Sequence, residues 1–175
     1  MDNWLKYFNK EEIAGFMDAE NLYGKAYLIC ERVFYGKKRK SGMPYLTYLK
    51  SVADKFSDDK AKATSLLHNI MKETDITAND LNEIGFPSDV VKTVVLMTRE
   101  AGESYDEFIN RIIDSKNNIA VQIKKADIEQ SMNLDDIVVT DDYLNRIEVK
   151  YKPQYEKIMG YLTDLEGEIR WLILN

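Results

Sequence analysis

The one histidine of this chain, His68, lies in the stretch ATSLLHNIMKET at residues 63–74. Ala63, Leu66, Leu67, Ile70 and Met71 recur there at helical spacing and form an apolar stripe, with His68, Asn69 and Lys72 at its edge. An imidazole in such a place can hold a metal or move a proton; it can equally be a structural side chain, hydrogen-bonded beside the core. The second chemistry-bearing stretch is KKRKSGMP, residues 37–44. Its ammonium, guanidinium and hydroxyl groups suit a phosphorylated small molecule, while a run of charges also serves as a solvated surface loop.

Both stretches need helices to position them, and almost every periodic segment of the chain is helical. Residues 1–16 read as a short amphipathic lead-in anchored by Trp4, Leu5 and Phe8. Residues 19–35 repeat apolar side chains at Leu22, Ala26, Ile29, Cys30, Val33 and Phe34, and Gly36 ends that helix. After the cationic loop, Pro44 opens a helix over 44–56 that buries Leu46, Leu49, Val52 and Ala53. Asp58 or Asp59 can cap the His68 helix, and Thr77 with Asp80, and Ser104 with Glu107, have capping-box spacing. Residues 87–98 are valine-rich, but the Pro-Ser-Asp start and the lack of a partner strand favour helix. Long helical patterns cover 117–134 and 142–162, the latter kinked or divided at Pro153. Residues 169–174 are apolar enough to dock onto the body. The expectation is one all-α domain over 1–175.

Composition bounds the function classes. The chain has 175 residues, 45% hydrophobic and 31% charged, an ordinary globular balance. Its net charge of -6 argues against a general DNA-binding surface but leaves room for a local basic pocket. No apolar run approaches a membrane span, and the N-terminus lacks a signal-peptide core. Cys30, the single cysteine, falls on an apolar stripe without a partner, which fits a reducing, cytoplasmic compartment.

Four separated segments resemble a known family: GKKRKSGMPYLTY at 36–48, LLHNIMKET at 66–74, TREAGESYDEF from Thr98, and IKKADIEQSMNL at 123–134. They are similar to the HD-domain metal-dependent phosphohydrolases, closest to the (p)ppGpp hydrolases of the RelA/SpoT type, whose patterns are RKSGxPYxxH, LLHDxxEDT and KxADxxxN. The resemblance spans roughly residues 20–160 and implies an HD-domain-like multi-helix bundle.

The resemblance places the family's four ligands to a divalent metal, usually manganese, at Tyr48, His68, Asn69 and Asp127. His68 and Asp127 are retained; Asn69 offers a neutral carbonyl and Tyr48 a phenol with a pKa of about 10, both poor donors to such an ion. The family's catalytic Glu-Asp pair aligns with Lys72 and Glu73. Lys72 follows His68 by four residues, so a continuous helix would point its charge into the metal's space. No cofactor is therefore expected, and Mn2+ only if the site still functions. Asp127 then needs another partner, expected to be Lys72, the Tyr48 hydroxyl or His68. The nucleotide side is better kept: Arg39, Lys40, Ser41 and Tyr45 match the family's loop, whereas Ser131 replaces its asparagine. These expectations describe a domain that binds a phosphorylated purine nucleotide, in a binding or regulatory role with hydrolysis lost. The alternatives are a weakly active phosphohydrolase and a structural module with a vestigial pocket.

Overall fold

Helical periodicity becomes helix throughout the computed structural model, which describes residues 3–135 and 137–174. A 3-10 turn, Asn3–Tyr7, leads into α1 (Lys10–Met17), α2 (Leu22–Val33), α3 (Tyr45–Ala53), α4 (Asp59–Leu67) and the single turn α5 (Ile70–Glu73). Then come α6 (Ala78–Glu83), α7 (Ser88–Leu96), α8 (Tyr105–Asp114), α9 (Asn118–Met132) and α10 (Asp141–Arg146). A π-helical turn, Ile147–Tyr151, joins α10 to α11, Lys152–Leu174. No strand occurs among the described residues, and none of their helices is long and apolar enough to cross a membrane. Met1 and Asp2 of the N-terminal stretch lie outside the described residues.

The core is built on α4, which packs against α2, α3 and α7, with α9 crossing α3, α7 and α8. Ala63, Leu66 and Leu67 of α4 are fully buried, as are Ala26, Ile29 and Cys30 of α2 facing them. Each large aliphatic side chain so buried contributes about 1.5–3 kcal/mol against its exposed state. The thiol of Cys30 donates to the Leu66 carbonyl, 3.3 Å away. Local chemistry starts these helices as their spacing predicts. Asp58 accepts from Ala61 N to cap α4, and capping boxes at Thr77/Asp80 and Ser104/Glu107 open α6 and α8. The neighbouring Asp59 carboxylate accepts instead from Leu22 N at 2.9 Å and Tyr23 N at 3.0 Å, tying the start of α2 to α4.

Four expectations are corrected. Leu5 is exposed, and only Trp4 and Phe8 anchor the lead-in. Leu46 is only partly buried, whereas Leu49, Val52 and Ala53 of the same helix are fully so. Ile169, Trp171, Leu172 and Ile173 are exposed along the end of α11 rather than buried; the side chain of Leu174 lies outside the described part of the structure. The break in the 142–162 pattern falls before Pro153, where the amide of Lys152 reaches back to the Ile147 carbonyl in an i to i−5 bond.

Candidate functional site

The segment expected to be one helix through His68 breaks at His68 and Asn69, between α4 and α5. His68 Nδ1 lies 2.6 Å from the Ser65 carbonyl, the acceptor that a continuing helix would offer to the Asn69 amide. The helix restarts when the Asn69 carbonyl accepts from Lys72 N and Glu73 N. With Nδ1 donating, the ring presents an unprotonated Nε2, which accepts from Asn69 Nδ2 at 2.9 Å. His68 is completely buried, and burial pulls its pKa down from 6.5 to about 4, so it is neutral at neutral pH.

Helix α9 supplies the other side. Lys124, Asp127 and Ser131, spaced three and four residues apart, put a polar seam on the otherwise apolar buried face of this helix. The Tyr48 hydroxyl of α3 donates to Asp127 Oδ1, Lys124 Nζ lies 2.8 Å from Oδ2, and His68 Nε2 is 3.9 Å from Oδ1. Burial is the largest influence and works to raise the Asp127 pKa, but the charge and hydrogen bond of Lys124, with His68 and the Tyr48 hydrogen bond, together outweigh it and hold the carboxyl below its ordinary value. Tyr48, buried beside this anion, is driven well above the usual phenol range and stays a donor.

Of the partners expected for Asp127, the Tyr48 hydroxyl is present as a hydrogen bond. Lys72 is not: the chain turns at Asn69, and its largely exposed ammonium pairs with Glu73 at 3.1 Å. The cation at Asp127 is Lys124, a residue to which the sequence pattern gave no role. Glu73 also takes Lys37 at 2.6 Å, and these two lysines overcome the effect of burial to keep it ionised.

The cationic loop has a defined conformation. Arg39 N donates to Met43 O at 2.9 Å and Tyr45 N to Lys37 O at 2.8 Å, while Gly42 turns the chain at φ +87°, a backbone state that side chains disfavour. Lys38 pairs with Pro44 as an isolated bridge, so the loop alternates like a strand. Lys38 and Lys40 are exposed, whereas Arg39 turns inward and lays its guanidinium 3.7 Å above the Tyr48 ring. Its Nη2 donates to Ser131 Oγ at 3.1 Å, and the Ser131 carbonyl accepts from Tyr143 OH at 2.8 Å. Ser41 is buried, and Tyr45 stacks on Phe34 at 4.7 Å.

These groups line one cavity of about 350 Å³. Every residue singled out from the sequence borders it except His68, which lies behind Asn69 and Asp127. It also contains side chains that sequence reasoning did not find: Lys124, Arg99, Arg146 and Lys150, with Tyr105, Tyr143 and Tyr151. Nine cationic side chains face two carboxylates, Asp127 and Glu73, in a chain whose net charge is -6. Both carboxylates are already neutralised by lysines. Arg99 and Lys150 form no close ion pair among the described residues, although Arg99 acts on Glu103 from a distance, and Arg146 reaches only Asp142, at 4.0 Å. Such a cavity attracts anions, and its aromatic walls can accept a planar ring.

The donor set does not fit a divalent metal. Asn69 gives its amide N–H to His68, the Tyr48 hydroxyl and the Lys124 ammonium already occupy Asp127, and among the described residues no three His, Cys, Asp or Glu side chains come together. An ion seated on Asp127 would have to displace an ammonium 2.8 Å away. No family model matches the chain, and no curated protein sequence matches it.

Proposed function

We propose that this chain is an HD-like helical domain that binds a phosphorylated purine nucleotide, in a regulatory role rather than as a phosphohydrolase. The observation that carries the reading is the charge of the cavity: cations from five separate parts of the fold converge on it, and its own carboxylates are internally paired. Arg39 is the centre of the nucleotide side. Its guanidinium, held flat by Tyr48 and Ser131, offers an outer face on which a purine can stack, with Lys40 beside it at the rim for a phosphate. The second reason concerns hydrolysis. Metal-assisted attack by water requires an ion with an open position, and here Lys124 supplies the positive charge that Asp127 would otherwise seek from a metal.

The test is a thermal-shift panel of purine and pyrimidine nucleotides carrying one to several phosphates. A ligand that prefers the folded state raises the melting temperature. The expected result is a rise with purine polyphosphates that disappears when Arg39 and Lys40 are both replaced by alanine. Charge-assisted contacts are worth about 1.5–3 kcal/mol each, enough in pairs to abolish measurable binding. A rise that survives the double replacement would place the site elsewhere, and no rise with any nucleotide would overturn the reading.

A further inference from the structure

We propose that Lys150 is a covalently reactive amine in this cavity, taking a phosphate-bearing aldehyde or ketone as a Schiff base. The inference rests on the anion-binding reading for the docking of the phosphate, and on the surroundings of Lys150 for the chemistry. Of the cavity's lysines, Lys37 and Lys72 are paired with Glu73, Lys124 is paired with Asp127, and Lys38 and Lys40 face solvent. Lys150 is different. It is half-buried, its Nζ lies 4.3 Å from the centre of the Tyr105 ring and 5.5 Å from that of Tyr151, and no carboxylate among the described residues lies within ion-pair distance.

The strongest electrostatic influences on it are cations: Arg146 at the end of α10, Arg99 in the loop after α7, and Lys72 of α5 and Lys124 of α9, the last two paired with Glu73 and Asp127 of the same cavity. Burial first, and then these cations, lower its pKa from the usual lysine value. A desolvated ammonium among like charges gives up its proton more easily, and the neutral amine is the nucleophile. The π-helical turn puts Lys150 and Tyr151 on the cavity wall together with Arg146 just before it, so an anion held by Arg99 and Arg146 would keep its carbonyl near the amine.

The step balances within the two partners. The Nζ lone pair adds to the carbonyl carbon and one N–H proton passes to the former carbonyl oxygen, giving a carbinolamine; its C–O bond then breaks and the second N–H proton leaves with that oxygen as water while the C=N bond forms. Hydrolysis reverses it, and no oxidant or reductant is needed.

The experiment uses the whole chain and pyridoxal 5'-phosphate as the probe, with borohydride reducing the imine to a stable amine and peptide mass spectrometry locating it. Lys150 is expected to carry most of the adduct, pyrophosphate to suppress it, and pyridoxal without the phosphate to label weakly. Lys150→Met should lose the adduct while keeping the helical circular dichroism; if it fails to fold, Lys150→Arg serves instead. Arg146→Ala retains the amine but should label several-fold more slowly. Adducts spread evenly over Lys38, Lys40 and other surface lysines, or a Lys150→Met protein labelled like the parent, would overturn the assignment. The two readings fail separately. If Lys150 is labelled while nucleotides neither protect it nor raise the melting temperature, the nucleotide reading falls and the amine stands. If nucleotides bind through Arg39 and Lys40 while labelling is scattered, the amine assignment falls alone.

Discussion

Replacing His68 by glutamine should remove most of the dependence of stability on pH in the mildly acidic range. The folded protein holds this buried imidazole neutral, with a pKa of about 4 against 6.5 for an unconstrained histidine. The unfolded chain therefore takes up a proton that the native state refuses. The stability this represents is fully present above about pH 6.5 and is lost as the pH falls toward 4. Integrated between about pH 7 and about pH 5, the linkage amounts to about 2 kcal/mol. His68 is the single histidine, while Glu73, Glu103, Glu107 and Glu129, whose pKa values are lowered, cost most of their stability below their ordinary value of 4.5, and Asp127 below 3.8. The interval between is thus dominated by one group. Urea unfolding at the two pH values, with the slope on urea held common, measures it. The parent protein should lose about 2 kcal/mol on acidification, and His68→Gln, though weaker at neutral pH because the Ser65 contact changes, should be nearly flat. A parent protein that is flat over this range, or a glutamine variant that loses as much as the parent, would refute the neutral, buried imidazole.

Lys124→Met should destabilise the fold by about 3–5 kcal/mol, because it leaves the Asp127 carboxylate buried without its cation; adding Asp127→Asn should recover much of the loss, as urea midpoints would show. The changes Tyr48→His, Asn69→Asp, Lys72→Glu and Glu73→Asp, made together with Lys124→Met so that no ammonium occupies Asp127, should create manganese binding measurable by elemental analysis, whereas each alone should not, since a metal site needs its full ligand count. If a well-folded combined variant takes up no metal, the alignment of Tyr48 or Asp127 with the ligand positions is wrong.

The parts legible in the sequence were those decided locally. The capping boxes at Thr77 and Ser104, the apolar stripe of α2 and the helical reading of the valines in α7 depend on residues within a turn or two of one another. The break at His68 was not legible, because it turns on whether an imidazole or the next backbone amide takes the Ser65 carbonyl, a choice made once the ring is buried. Lys124 could have been found: it precedes Asp127 by three residues on a strongly periodic helix, a spacing that places the two side chains together. Lys72 is the more conspicuous candidate in the sequence, but it would face Asp127 only if α4 ran unbroken. Arg99 falls in the run from Thr98 that carries the family resemblance, without a role assigned to it, and Arg146 and Lys150 carry no local signal. The three come from a loop, the end of a short helix and a π-helical turn, and share a cavity only through the packing of α8, α9 and α11 around them. Pro153 marked the right neighbourhood, but the disturbance it accompanies lies in the turn before it.

The most direct test of the central claim is a calorimetric titration of the parent protein with the purine polyphosphate that gives the largest thermal shift, in excess chelator and again with added manganese. Binding that is the same in both, weakens as salt is raised and vanishes in the Arg39→Ala, Lys40→Ala protein is the predicted result, since the cavity's own cations hold the phosphates. Binding that appears only with manganese, or nucleotide consumed during the titration, would contradict it.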